Sequence, residues 1–180
     1  MCTVVPQYPN LIVLQTLSKA FGLAGIRLGI AVASPEVANL LNCMKAPYNI
    51  SSPASALATH ALSKEGLLVM ERNVKEILEQ RDVLVNWLQQ AQKSRRPGKQ
   101  GIGQIIGGLD ANFILVQIVN ADGKPDNVLA EGLYKTLAEA KGVVVRFRGR
   151  ETGCTGALRI TIGTASEIQT LIKHLEDWSS

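Results

Sequence analysis

The chain has 180 residues, of which 46% are apolar and 19% are charged, and its formal net charge is +4. This composition is typical of a globular protein and excludes disordered, collagenous and repeat proteins. A chain of this length buries about 70% of its unfolded surface, so it needs no disulfide or metal ion to fold. Its three cysteines form no C-x-x-C pair, which argues against a secreted disulfide framework and a zinc site. We expect a cytoplasmic protein without a metal.

The sequence also lacks the features of a membrane or nucleic-acid protein. No stretch reaches the roughly 18 uninterrupted apolar residues of a membrane span, and the opening residues MCT do not begin a signal peptide. Aromatic residues make up 4% of the chain, so the basic and aromatic pattern of a single-strand nucleic-acid binder is missing. We expect no membrane and no nucleic-acid partner.

The first part of the chain predicts an α/β arrangement. The apolar run at residues 11–14 indicates a strand covered on both faces, and residues 27–33 offer a second strand. A loop at residues 16–25 joins them. Ser34, Pro35 and Glu36 then predict a helix over residues 35–45, which Pro47 ends.

The remainder predicts a long amphipathic helix followed by a small α+β lobe. Apolar residues recur at helical spacing over residues 67–88. Strands are then expected at residues 113–119, 143–147 and 157–162, with helices at 127–141 and 165–178. Asp126 can cap the first of these helices, and Gly142 can end it. Thr164 and Glu167 form a capping-box pattern for the second.

The most informative segment is residues 16–29, TLSKAFGLAGIRLG. A lysine directly after a buried strand, in a loop of small residues, is predicted to be desolvated, which favours its neutral, nucleophilic form and makes Lys19 a candidate for imine chemistry. Thr16 and Ser18 offer hydroxyl donors, and Arg27 offers a planar fork for a phosphate. A lysine beside such donors is what a pyridoxal phosphate site requires. The alternative is an ordinary loop with an exposed lysine.

Two strand arginines are further candidates. Arg146 and Arg159 each stand among apolar neighbours, in VVVRFR and ALRIT. A guanidinium removed from water needs an anion. That anion is either a ligand or an internal Asp or Glu.

The segment around Lys19 resembles the Schiff-base lysine segment of fold-type I aminotransferases, and within them most closely the histidinol-phosphate aminotransferase group. Three further segments resemble the same family in the same order. They read APYNISS at residues 46–52, DANFILVQI at 110–118 and LRITIGT at 158–164. The similarity covers nearly the whole chain except residues 92–108.

For the cofactor, the resemblance implies that Lys19 holds pyridoxal 5'-phosphate covalently and later shuttles a proton. Thr16 and Arg27 match positions that bind the cofactor phosphate, with Ser18 a weaker candidate.

For the substrates, an amino donor and a 2-oxo acid, the resemblance implies that Arg159 pairs with the α-carboxylate. Arg146, thirteen residues earlier, matches the position that binds the phosphate of histidinol phosphate. Asn49 is placed near the site by the resemblance alone.

The implied fold is the end of the mainly parallel sheet of a pyridoxal-phosphate-dependent transferase large domain, residues 1–66, followed by a small C-terminal domain, residues 67–180. The family's pyridinium-binding Asp, D-x-A-Y segment, Asn and glycine-rich turn lie upstream of the lysine and are absent before Lys19. The chain therefore resembles the C-terminal half of a homodimeric enzyme. Three alternatives remain, namely an aromatic aminotransferase, a phosphothreonine decarboxylase of the same fold, and a silent fragment that associates with a full-length subunit.

Overall fold

A computed structural model describes residues 2–179, and the chain divides into two compact units, Met1–Val74 and Lys75–Ser180. The first unit contains 3₁₀ turns at Cys2–Gln7 and Ala24–Ile26, strands β1 (Val13–Thr16) and β2 (Gly29–Val32), and helices α1 (Pro35–Met44) and α2 (Ser52–Ala61). Helix α3 (Lys64–Ser94) passes through the boundary between the units. None of the described helices is both long and apolar enough to cross a membrane.

Strands β1 and β2 of the first unit pair antiparallel, with Val13 opposite Val32 and Thr16 opposite Gly29. An antiparallel pair at the margin of a mainly parallel sheet is common in mixed sheets, so this pairing agrees with the expected part of a large domain. Helix α1 begins at the predicted Pro35. The Ser51 hydroxyl caps α2 by accepting a bond from the Ala54 N–H at 3.3 Å.

The first unit leaves much of its apolar surface uncovered. The prediction that residues 11–14 are buried on both faces was wrong for the described chain, because Leu14 is 77% exposed. Met44 and Tyr48 are 82% and 101% exposed. Two strands form only a narrow ribbon, and such a ribbon cannot build a core by itself.

The second unit is a four-stranded antiparallel sheet with the order β3-β4-β6-β5. Its elements are β3 (Gly101–Ile106), β4 (Phe113–Val119), α4 (Asn127–Ala140), β5 (Arg146–Phe147), β6 (Ala157–Thr161) and α5 (Ala165–Ser179). Strand β3 was not predicted, since glycines interrupt its apolar pattern. The strand predicted at residues 143–147 pairs only at its last two residues.

One face of this sheet holds the hydrophobic core. Strand β4 contributes Ile114, Val116 and Ile118, and β6 contributes Leu158 and Ile160, all at most 2% exposed. They belong to one cluster with apolar residues of α3, α4 and α5, namely Leu84, Leu88, Leu133, Leu137, Ile168, Leu171 and Leu175. Because successive side chains of a strand point to opposite faces, the intervening residues of β4 and β6 lie on the other face.

The predicted helix ends of this unit are confirmed. Asp126 accepts bonds from the Val128 and Leu129 N–H groups at 2.8 and 3.0 Å. Gly142 follows α4 with φ +67°, a conformation that glycine adopts without strain. The Glu167 carboxylate accepts from the Thr164 N–H at 2.7 Å and from its hydroxyl at 2.9 Å. These two bonds, the backbone one first, hold the pKa of Glu167 below its ordinary value of 4.5.

Because leucines of the two units differ in burial, replacing a leucine by alanine should lower the free energy of unfolding by different amounts at different positions. Leu84→Ala removes a fully buried side chain and should lower the free energy of unfolding by about 2–5 kcal/mol. Leu14→Ala removes an exposed side chain and should change it by less than about 0.5 kcal/mol. Urea unfolding followed by far-ultraviolet circular dichroism, to which helices of both units contribute, measures both values. Equal losses would contradict the assigned core.

The capping bonds predict a pH dependence of stability. Because the pKa of Glu167 is lowered on folding, its contribution is complete above pH 4.5 and is lost as the pH falls through the lowered value. Glu167→Gln should therefore reduce the slope of the unfolding free energy against pH in that acid window. Glu139→Gln is the control, because the exposed side chain of Glu139 makes no hydrogen bond or ion pair with the described residues. Identical slopes for both variants would contradict the cap.

Candidate active site

The loop after β1 brings the two predicted hydroxyls together. The Thr16 and Ser18 hydroxyl oxygens are 2.8 Å apart, and the Ser18 N–H donates to Thr16 Oγ1 at 3.1 Å. Leu17, between them, is 3% exposed and anchors the loop. The Leu23 N–H donates to the Leu17 carbonyl at 3.0 Å and closes the turn. The loop therefore presents two oxygen groups from a fixed backbone.

Lys19 lies in this loop with its side chain exposed. The prediction that the loop would withdraw its ammonium from water is wrong for the described chain, since Leu17 is the residue that the loop buries. The Gly22 N–H donates to the Lys19 carbonyl at 2.9 Å, which makes a tight turn directly after the lysine. The amine makes no hydrogen bond or ion pair with the described residues, so it is accessible to an aldehyde.

Arg27 occupies an unusual backbone position. Its φ of +52° is left-handed, which costs a residue other than glycine roughly 1–2 kcal/mol. Its guanidinium Nη1 donates to the Ala24 carbonyl at 3.2 Å, and the side chain is otherwise exposed. Strain of this kind concentrates at ligand-binding turns.

Asn49 is exposed and has no hydrogen bond to the other predicted site residues. Its neighbour Tyr48 is also left-handed, with φ +54°. The assignment of Asn49 to the site therefore remains a prediction from the resemblance.

The residues of the first unit fit one part of the expected cofactor. The hydroxyls of Thr16 and Ser18, the guanidinium of Arg27 and the amine of Lys19 are the donor types that a phosphate and an aldehyde need. Residues 1–74 contain no Asp, and their three carboxylates are Glu36, Glu65 and Glu71. Among these, Glu65 accepts a bond from the Ser63 hydroxyl at 2.9 Å. The unit thus fits the phosphate and the aldehyde, whereas the family's ring-nitrogen Asp is not part of it.

The second unit places the two predicted arginines directly opposite each other. Arg146 of β5 and Arg159 of β6 are Cα partners in the antiparallel register. Like charges at such positions repel. Neither guanidinium forms an ion pair with a described residue, so the alternative of an internal carboxylate partner is not observed. The pair therefore favours binding of an external anion.

The surroundings of Arg159 agree with this arrangement. Its guanidinium carbon lies 5.3 Å from the centre of the Phe113 ring, a cation–π distance. Its buried Nε has no hydrogen-bond partner among the described residues. Sequence analysis missed Phe113, because the contact depends on the register that pairs Leu115 with Arg159 and sets Phe113 diagonally beside it.

Arg146 is exposed, so the prediction that it is desolvated was wrong for the described chain. It stands on a two-residue edge strand with a neighbour on one side only. It lines a cavity of about 390 Å³ that sequence analysis did not predict. The other lining residues are Tyr134, Phe147, Arg148, Arg150 and Glu151. Thr16, Ser18, Lys19 and Arg27 lie in the first unit, whereas Arg146 and Arg159 lie in the second.

The described part of the chain holds no group of three His, Cys, Asp or Glu side chains arranged to bind a metal ion. The candidate residues of the two units are hydroxyls, an amine and guanidiniums, which are suited to anionic organic ligands.

Residues 2–175 match the model of the aminotransferase class I and II family, so the chain belongs to this family. Over 176 residues it is 51% identical to the histidinol-phosphate aminotransferase of Candida maltosa. That match covers 98% of this chain and 43% of the relative. The chain therefore spans less than half the length of this curated relative.

Solved structures show the same fold. The histidinol-phosphate aminotransferase of Clostridium acetobutylicum matches with a TM-score of 0.78 at 20% identity, over 98% of this chain and 48% of that one. The histidinol-phosphate aminotransferase of Sinorhizobium meliloti, in complex with pyridoxal-5'-phosphate, matches with a TM-score of 0.71 at 22% identity. The second match covers 94% of this chain and 41% of that one. The expected fold, part of a large domain followed by a small domain of this enzyme class, is confirmed.

Proposed function

We propose that the chain is part of a pyridoxal-phosphate-dependent transaminase that converts histidinol phosphate and 2-oxoglutarate into imidazole acetol phosphate and glutamate. The observation that carries the proposal is the opposed pair Arg146 and Arg159. Neither guanidinium forms an ion pair with a carboxylate of the described residues. Two guanidiniums on one sheet face match substrates that carry a phosphate or a carboxylate. The 51% identity to the relative from Candida maltosa supports the choice of reaction.

The residues of the first unit bind the cofactor and move the proton in this proposal. The Thr16 and Ser18 hydroxyls and the Arg27 guanidinium bind the cofactor phosphate, and Lys19 holds the cofactor aldehyde. The bound cofactor supplies an electron sink for the bond that breaks at the substrate Cα. Once the substrate amine has displaced it, the amine of Lys19 would accept the proton from Cα of the amino donor and deliver it to the cofactor carbon that had carried the aldehyde, as a general base and then a general acid. In the second half-reaction it would carry a proton in the reverse direction.

The residues of the second unit select the substrates. Arg159 binds the α-carboxylate of glutamate, and Phe113 fixes the orientation of its guanidinium. Arg146 binds the phosphate of histidinol phosphate, which has no α-carboxylate. Asn49 is proposed to contact the bound molecules from the loop after α1. Substrate selection therefore depends on whether the anionic group of the substrate binds Arg159 or Arg146.

The uncovered apolar surface of the first unit favours a chain that works in association. Leu14, Met44 and Tyr48 are exposed, and exposed apolar surface of this extent marks an interface. Further polypeptide of the same enzyme is proposed to cover it and to supply the acid for the ring nitrogen. The complete enzyme is proposed to be a cytoplasmic homodimer. A silent fragment bound to a full-length subunit is the second candidate, because it would cover the same surface.

The cofactor proposal is tested by reductive labelling. The 180-residue protein is treated with pyridoxal phosphate and then borohydride, and its peptides are mapped by mass spectrometry. The label should be concentrated on Lys19, because the segment that carries this amine also carries the Thr16 and Ser18 hydroxyls and the Arg27 guanidinium for the phosphate. Lys19→Ala should abolish most labelling, whereas Lys45→Ala, which alters another exposed lysine of the same unit, should not. Equal labelling of Lys19, Lys45 and Lys64 would contradict a built site.

Substrate selection is tested in the catalytically complete enzyme. A charge-assisted bidentate contact contributes roughly 1.5–3 kcal/mol, or about tenfold to a hundredfold in affinity. Arg146→Ala should lower kcat/KM by such a factor for histidinol phosphate and much less for an unphosphorylated aromatic amino acid. Arg159→Ala should chiefly impair the glutamate half-reaction. Equal losses on phosphorylated and unphosphorylated donors would instead indicate a general aromatic aminotransferase.

A further inference from the structure

The cavity beside β5 contains two arginines to which no role has been given. Arg148 and Arg150 follow Arg146 at alternate positions, and all three line the same cavity of about 390 Å³. Glu151 is the one carboxylate of the lining, and Tyr134 is its uncharged polar side chain. Three guanidiniums against one carboxylate leave an excess of positive charge, which favours an anion that carries more than one negative charge.

The three arginines differ in their partners. Arg148 donates to the Glu151 carboxylate at 2.8 Å, and its side chain is 35% exposed. Arg150 is 81% exposed and lies 3.7 Å from Glu131, outside the lining. The Arg146 side chain forms no ion pair or hydrogen bond with a described residue. The Arg146 guanidinium can therefore bind an anion directly, whereas Arg148 must first exchange Glu151 for the anion. Arg150 lies at the rim of the cavity.

The segment that carries Arg148 and Glu151 is held in place by backbone and amide bonds. Asn127 donates from Nδ2 to the Gly149 carbonyl at 3.1 Å and accepts from the Gly156 N–H at 2.6 Å. The Arg148 N–H donates to the Ala157 carbonyl at 2.8 Å, and the Glu151 N–H donates to the Arg148 carbonyl at 3.0 Å. Exchange of the Arg148 partner therefore needs a side-chain rotation and no rearrangement of the backbone.

We propose that Arg148 is a second phosphate-binding arginine of this cavity and that Glu151 is an internal counter-ion which the phosphate displaces. A singly charged carboxylate is satisfied by Arg146 alone. A phosphate dianion offers three oxygens and enough charge to compete with Glu151 for Arg148. Glu151 thus opposes an anion that uses Arg148 and has much less effect on an anion that binds Arg146 alone. The inference rests on the proposed function for the identity of the phosphorylated ligand.

The proposal is tested by titrating the ¹⁵N-labelled 180-residue protein with inorganic phosphate, and separately with acetate, at constant ionic strength. The signals followed are the arginine side-chain N–H groups and the backbone amides of residues 146–151. Phosphate should shift them saturably, and acetate should bind at least about tenfold more weakly. Arg148→Gln should weaken phosphate binding about tenfold. Arg150→Gln should change it less than about twofold, because that guanidinium is at the rim.

Glu151→Gln is the decisive variant, because the proposal predicts that it increases the affinity for phosphate. Loss of the competing charge should tighten phosphate binding by about threefold to tenfold and should change acetate binding less, because acetate binds Arg146 without displacing Glu151. Loss of folding cannot produce tighter binding, so this variant separates competition from structural damage. Unchanged or weaker phosphate binding in Glu151→Gln, equal binding of acetate, or full affinity in Arg148→Gln would each overturn the proposal. Phosphate binding with no selective labelling of Lys19 would refute the transaminase proposal alone.

Discussion

Burial of one face of the four-stranded sheet determines the geometry of the second unit. Leu158 and Ile160 of β6 are committed to the core beneath the helices. The pleat therefore turns Arg159, which lies between them in sequence, to the opposite face. Pairing with β5 then places Arg146 beside it. A shift of one residue in β6 would bury Arg159 and expose its two neighbours, so the same packing that stabilises the fold fixes the position of the anion-binding pair.

The first unit has no comparable core. Its buried apolar residues are few, whereas Leu14, Met44 and Tyr48 are largely exposed. The same unit carries the lysine, the hydroxyls and the left-handed arginine that fit a phosphate and an aldehyde. The match to 43% of the relative from Candida maltosa agrees with this imbalance. Its donor groups are held by local turns rather than by a core.

The arginines of the second unit differ in burial and in the partners of their side chains. Arg159 is half-buried against Phe113, which suits a fixed carboxylate. Arg146 is exposed at the sheet edge, and Arg148 is restrained by Glu151. Differences in desolvation and in existing partners give the guanidiniums different affinities, because a charge already paired must exchange its partner before it binds a ligand.

The sequence by itself determined the helix ends, the main strands and the family. Asp126, Gly142 and the Thr164–Glu167 pair could be identified because capping depends on residues that are neighbours in the chain. Lys19, Thr16, Ser18 and Arg27 could be predicted as site residues because they share one short motif. Strand β3 was missed because its glycines hide the alternation, and the exposure of Leu14 was missed because burial depends on distant segments of the chain.

Only the tertiary structure decided which residues meet across the sheet. The opposition of Arg146 and Arg159, the contact of Arg159 with Phe113 and the cavity that joins Tyr134 to Arg148 all depend on pairing register and on the packing of α4. These relations join positions far apart in sequence, and their geometry is set by which strand face the core buries. A linear pattern shows the alternation of a strand but not the partner beside it, so the sequence gives the chemical groups and the fold gives their arrangement.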